Sequence, residues 1–174
     1  MKRAGPFNLL VAASEAIPYA KTGGLADVAG ALPQEFAKLG HDVILLLPRY
    51  REVNVSGRTF RPVVTLPVQT PMGMTNAVIE EALVPVGEQH MRVWTIGHDP
   101  YFDRTGLYQE AGADYPDNLD RFVFFCRAII ETMVYLQLER AWGTDVLHLH
   151  DWQTALCAVY LKTTVAGRAE LSAT

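Results

Sequence analysis

Three short apolar runs frame the chain. Phe7-Asn8-Leu9-Leu10-Val11-Ala12-Ala13 and Asp42-Val43-Ile44-Leu45-Leu46-Leu47 are nearly continuous, and Asp145-Val146-Leu147-His148-Leu149-His150 is a shorter run with a polar end. Runs of this length without alternation predict strands buried on both faces, as in a parallel sheet. Between the first two, Leu25, Val28, Ala29, Leu32, Phe36 and Leu39 recur at helical spacing. Gly40 marks the stop of that helix, and Pro33 inside it predicts a kink. Strand, helix and strand make a βαβ unit with a right-handed crossover.

The middle of the chain reads differently. Residues 58–70, 76–86 and 91–96 are β-prone stretches separated by turn residues such as Pro71-Met72-Gly73, which predicts an inserted meander. Residues 97–116 are rich in Gly, Asp, Pro and Tyr and predict a long loop, of the kind that is usually functional or mobile. A long helix is predicted from Asn118, with Asp117 as its N-cap and Asp120 near the positive end of the dipole. Leu119, Phe122, Cys126, Ile129, Met133 and Leu136 mark its buried face, widened by Val123, Ile130 and Val134. A last helix runs from Trp152 to about Lys162. In a parallel sheet a helix returns the chain to another strand. Thr163-Thr164-Val165-Ala166 can start one, and nothing completes it. The expectation is one α/β domain over residues 1–174, three-layered, with a mainly parallel sheet and an inserted β-meander, cut from a longer chain.

Composition narrows the function classes. The 174 residues are 49% hydrophobic and 20% charged, an ordinary globular balance. The net charge is −4 with both signs interspersed, so there is no basic stripe for nucleic acid. No apolar run approaches the roughly 18 residues of a membrane span. The start, Met1-Lys2-Arg3-Ala4-Gly5-Pro6, does not lead into a signal peptide, and a cytoplasmic location is expected. Cys126 and Cys157 sit among apolar residues and read as buried small hydrophobes, not as a disulfide or a zinc site.

Ligands of open α/β sheets bind beyond the carboxyl ends of the strands. That rule selects residues 14–27, Pro48-Arg49-Tyr50 and His150-Asp151-Trp152, whose polar groups are expected to share one cleft. Gly23-Gly24 lets a ligand approach the backbone at a helix N-terminus, where free N–H groups attract anions, and Lys21 adds a cation. The same pair equally suits a plain tight turn. Lys-Thr-Gly-Gly is not a P-loop, and Gly23, Gly24 and Gly30 do not make a dinucleotide fingerprint. His148 and His150 share a strand face, but a third ligand for a metal is missing. His148 reads as a core histidine, and His150, at the strand tip, as the ligand-facing one. Glu15, Asp27, Asp117 and Asp151 are conceivable acids or bases that no spacing pairs. Tyr101, Phe102, Tyr108 and Tyr115 suit either stacking on sugar rings or packing of the loop.

Taken together, these segments resemble one family. Ser14-Glu15-Ala16-Ile17-Pro18-Tyr19-Ala20-Lys21-Thr22-Gly23-Gly24-Leu25-Ala26-Asp27-Val28 resembles the N-terminal signature of bacterial glycogen synthases and plant starch synthases. Tyr101-Phe102-Asp103-Arg104-Thr105-Gly106-Leu107-Tyr108, then Tyr115-Pro116-Asp117-Asn118 with Arg121-Phe122, then His148-Leu149-His150-Asp151-Trp152 follow in the expected order. Gln109 departs where the family often has glycine, which bears on loop shape. The resemblance implies the N-terminal, glucan-acceptor half of a two-domain GT-B glycosyltransferase built from Rossmann-like domains. It implies transfer of glucose from ADP-glucose or UDP-glucose to the non-reducing end of an α-1,4-glucan, with retention and with no metal or cofactor. It places Lys21, Gly23 and Gly24 at the donor diphosphate and sugar, and Asp27 in the same loop. It places the catalytic His150 beside the transferring glucose, with Phe102, Asp117, Asn118 and Asp151 as further substrate contacts. It implies a C-terminal nucleotide-binding domain absent from these residues, without which the chain alone is inactive. A glucan-binding module without chemistry and another two-domain glycosyltransferase are the competing readings. The cation at the Gly-Gly loop favours an enzyme, because a neutral glucan does not need it.

Overall fold

A computed structural model describes residues 5–55 and 57–163. In chain order the elements are β1 (Asn8–Ala12), α1 (Gly24–Lys38), β2 (Asp42–Pro48), a 3-10 turn (Arg51–Val55), β3 (Arg61–Thr70), β4 (Gly73–Val86), β5 (Gln89–Gly97), α2 (Asp99–Phe102), β6 (Gln109–Glu110), β7 (Ala113–Asp114), α3 (Asn118–Glu139), β8 (Val146–Leu149) and α4 (Trp152–Thr163). The described part of α4 reaches Thr163; residues 164–166, where the sequence pattern allows a further strand to begin, and residues 1–4 lie outside the described ones.

The main sheet has the order β3-β4-β5-β2-β1-β8. β1 pairs parallel with β2 and β8, and β2 parallel with β5. β5 pairs antiparallel with β4, and β4 with β3. The meander is therefore continuous with the parallel sheet, because its last strand docks beside β2. Leu10 to Ala12 and Val43 to Leu47 are buried, which is why their runs do not alternate.

Strand register defines the layers. Ala12, Leu46, Trp94 and Leu149 form one row across the sheet, and Val11, Leu45, Val93 and His148 form the next. Successive residues of a strand face opposite sides. Trp94 meets Tyr135 of α3 at 6.4 Å between ring centroids, while His148 meets Phe36 of α1 at 6.2 Å. α1 and α3 thus cover opposite faces, giving three layers.

α1 runs through Pro33, which is buried. Its buried side is made of small residues, Ala26, Ala29, Gly30, Pro33 and Ala37, whereas Val28 and Leu39 are exposed. The expected stripe of larger residues is therefore displaced around the helix. At Gly30 an added Cβ would fall 2.6 Å from the Ile17 carbonyl oxygen, so the close approach of the loop excludes a side chain there. The helix ends as predicted: Gly40 at φ +87° donates to the Ala37 carbonyl, and His41 donates to that of Phe36.

α3 begins at Asn118, with Asp117 in the N-cap position but without a side-chain cap. Leu119 is exposed, contrary to the helical pattern, and Arg121 is fully buried. The Arg121 guanidinium organises residues 98–117. Its Nε donates to the Tyr101 carbonyl at 2.7 Å, one terminal nitrogen to Asn118 Oδ1 at 2.6 Å, and the other to the Leu107 carbonyl at 2.8 Å. The predicted long loop is thereby an ordered segment containing α2 and the β6–β7 hairpin. That hairpin turns at Ala111 and Gly112, both at positive φ. Cys126 and Cys157 are buried free thiols. Among the described residues, no helix is long and apolar enough to cross a membrane.

Replacing Arg121 by methionine leaves two buried carbonyls and an amide oxygen facing an apolar chain. Urea unfolding should show a loss of about 3 kcal/mol, from several hydrogen bonds to a charged donor. A loss below about 1 kcal/mol would mean that the fork does not hold the loop.

Candidate active-site cleft

The four parallel strands end at one edge, and an open cleft of about 740 Å³ lies there. Glu15, Gly23, Gly24 and Leu25 line it from the β1–α1 segment. Tyr108, Asp114 and Tyr115 line it from the ordered loop, Asn118 from the start of α3, and Asp151, Trp152 and Gln153 from the start of α4. The end of β2 takes no part. Arg49 pairs with Glu80 at 2.9 Å and Asp99 at 2.8 Å beside a separate hollow, and Tyr50 is buried against Phe102.

Glu15 is the most heavily committed group in the cleft. One carboxylate oxygen accepts from the backbone N–H of Thr22 and, at 3.2 Å, from that of Gly23. The other accepts from the Thr22 hydroxyl at 2.7 Å and from the Tyr108 hydroxyl at 2.7 Å. The Tyr108 oxygen also lies 2.8 Å from Ser14 Oγ. Burial pushes the Glu15 carboxyl up, but the hydrogen bonds from Thr22, Tyr108 and Gly23 outweigh it and hold the group below its ordinary value. Glu15 is therefore an anion at neutral pH. Burial and the Glu15 charge push the Tyr108 phenol up, so it stays a donor.

Gly23 has φ −152° and caps α1, and an added Cβ at either Gly23 or Gly24 would meet nothing within 4 Å. The fold itself requires glycine at neither position, so the tight-turn reading fails. The space above them belongs to the cleft. Lys21 and Asp27 pair with each other at 2.6 Å, each about half exposed, outside the cleft lining. Part of the predicted anion site is already filled, since the Thr22 and Gly23 N–H groups serve Glu15.

The tip of β8 divides its residues. The His150 ring stacks on His148 at 4.6 Å and 14°, so it follows its strand neighbour toward the α1 face and does not line the cleft. Its main-chain N–H donates to Ala12, its carbonyl accepts from Thr154 Oγ1, and its buried Nε2 has no partner among the described residues. Asp151, next in sequence, does line the cleft. It sits at φ +63°, a conformation of modest cost that Asp tolerates, and its carboxylate accepts from the Trp152 N–H at 2.7 Å.

Two other expected contacts are structural. Phe102 has no exposed surface and packs among Tyr50, Phe124 and Phe125, so it cannot meet a substrate. Asp117 binds Arg104 through both carboxylate oxygens and does not line the cleft, and those hydrogen bonds hold its carboxyl below the ordinary value. Asn118 lines the cleft, but its amide bridges the Tyr108 carbonyl and Arg121. Trp152, 54% exposed and edge-on to Phe122, adds an aromatic surface that the motif reading had not assigned to ligand contact.

A mainly parallel α/β sheet with its cleft between strand-end loops defines a Rossmann-like domain. Residues 8–174 match the family model described as starch synthase catalytic domain. A glycogen synthase of Syntrophotalea carbinolica is 43% identical over 90% of this chain, and one of Elusimicrobium minutum is 41% identical over 90%. In both cases the chain spans 31% of the relative's length. The solved catalytic domain of starch synthase IV from Arabidopsis thaliana, bound to ADP and acarbose, superposes with a TM-score of 0.70 at 26% identity. That match covers 98% of this chain and 32% of the other. The chain belongs to the starch synthase catalytic domain family.

The placement of His150 has a titration signature. Burial, and then the neighbouring His148, lower its affinity for a proton. The unfolded chain protonates this residue near pH 6.5, so its contribution to stability is full above that value. The contribution is lost as pH falls toward the lower folded value. Imidazole NMR should show His150 neutral at about pH 6.5 and titrating below it. Titration at or above that pH would contradict the buried stacking.

Proposed function

We propose that this chain forms the glucan-side wall of a glucosyl-transfer cleft. The enzyme would move glucose from ADP-glucose, or UDP-glucose, to the non-reducing end of an α-1,4-glucan, with retention of configuration. The observation that carries this reading is the match of 98% of the chain to a catalytic domain bound to ADP and acarbose. The cleft residues agree with it in chemistry. The Lys21–Asp27 pair is an exposed one, worth about 0–1 kcal/mol, so a donor diphosphate can draw Lys21 away at little cost. A cation aimed at the departing diphosphate stabilises the charge that develops there. Gly24 leaves bare backbone over which the diphosphate and sugar can lie. Asp151 offers a carboxylate to sugar hydroxyls, and the exposed Trp152 offers an aromatic face to the glucan. Most nucleotide contacts are assigned to the remaining two thirds of such a protein, and no metal or cofactor is given a role. A cytoplasmic setting, with glycogen or starch synthesis as the process, belongs to the same reading.

The protein that carries this chain should incorporate glucose from ADP-glucose into glycogen. Lys21→Gln should lower kcat/KM for the donor by about 10–100-fold, the scale of one lost charge contact to the transition state. Gly24→Ala should leave the unfolding midpoint unchanged or slightly raised, since alanine is the better helix former by up to about 1 kcal/mol, yet lower kcat/KM at least about tenfold by filling the cleft. Glucan binding without any transfer would favour a binding module instead, and an unaffected Lys21→Gln would remove that lysine from the mechanism.

A further inference from the structure

We infer that Glu15 is a positioning residue that holds the donor-side loop and the acceptor-side loop of the cleft at a set distance. This rests on the reading of the cleft as a glucosyl-transfer site. The two sides come from distant parts of the chain: Thr22 and Gly23 precede α1, and Tyr108 belongs to the segment before α3. One carboxylate accepts from both, through the Thr22 and Gly23 N–H groups, the Thr22 hydroxyl and the Tyr108 hydroxyl. Tyr108 passes the constraint onward, since its carbonyl accepts from Asn118, and Asn118 is held by Arg121.

The carboxylate also acts as an internal counter-anion. By occupying the Thr22 and Gly23 N–H groups it denies them to a phosphate, so an incoming anion meets helix N–H groups only from Gly24 onward. That fixes where along the loop the donor sits relative to Asp151 and Asn118 across the cleft. Glu15 lies at the cleft wall but is only 3% exposed, with its carboxylate taken up by these donors, which suits holding rather than contact. Methionine fills nearly the same space but offers no oxygen, so neither the Thr22–Gly23 pair nor Tyr108 keeps its acceptor.

The experiment compares wild type with Glu15→Met in the protein that carries this chain. ADP-glucose and glycogen are the substrates, and amide hydrogen exchange is measured alongside. The expected result is a fall in kcat of at least about tenfold, because misplacement near the reacting centre costs rate more than binding. KM for glycogen should stay within about twofold, as expected when glucan binding is intact; a general loss of folding would also lower kcat at constant KM, and it is the exchange of β1 that separates the two. Exchange at Thr22 and Gly23 should quicken at least about tenfold, while Leu10 to Ala12 in β1 keep their protection. If Glu15→Met does not fold, Thr22→Val carries the test: it removes one donor to the same carboxylate and should lower kcat with KM for glycogen retained. An unchanged kcat in the variant tested, or unchanged exchange in Glu15→Met, overturns the positioning role while leaving the cleft's function standing. Absence of transfer by wild type counts against that function, and the positioning role falls with it.

Discussion

Leu10, Val11 and Ala12 have no exposed surface, and each is matched in parallel by a residue of β2 on one side and β8 on the other. Everything at the cleft depends on this placement of β1. A strand in that position is covered by helices on both faces, so it must be apolar along its length. Its neighbours must also run parallel, which sends every carboxyl end to one edge. Ser14 and Glu15 follow at once, where the chain first leaves the sheet. His150 and Asp151 arrive at the same edge from β8, with the His150 N–H bonded to the Ala12 carbonyl.

Two charged groups, both buried, convert that edge into a shaped cleft. Arg121 is surrounded by loop carbonyls and by the rings of Phe102, Tyr115 and Phe122, with its guanidinium carbon 4.9–5.7 Å from their centroids. Glu15 has four donors of its own. A charge removed from water is costly unless its hydrogen-bonding capacity is met, and in each case satisfying it draws backbone from distant loops into one place. The polar groups thereby specify loop geometry that the hydrophobic core, being non-directional, does not.

This division explains which parts of the site were legible beforehand. The strand-end rule places residues 14–27 and His150-Asp151-Trp152 at the ligand edge, and the structure brings both segments there. It says nothing about side-chain direction at the tip of β8. Parity with His148 and ring stacking turn His150 away, while the left-handed backbone of Asp151 turns the next residue in. Phe102 and Asp117 belong to motifs that read as substrate contacts, yet one completes an aromatic core and the other neutralises Arg104. The buried stripe of α1 was displaced for a related reason: small residues permit close approach to the sheet and to the Ile17 loop, which a count of large apolar residues overlooks.

The sequence by itself determined the α/β class, the parallel strands, the helix limits at Asn118 and Gly40, and the strand ends at which a ligand would bind. These depend on short-range quantities: apolar periodicity, and the dihedral preferences of glycine and proline. Only the tertiary structure decided that β5 joins the parallel sheet, that residues 98–117 are ordered around Arg121, and that Glu15 spans the cleft. Those outcomes rest on pairings between residues far apart in the chain. The energy of a buried charge depends on which donors or acceptors the fold delivers to it, and no local pattern records that.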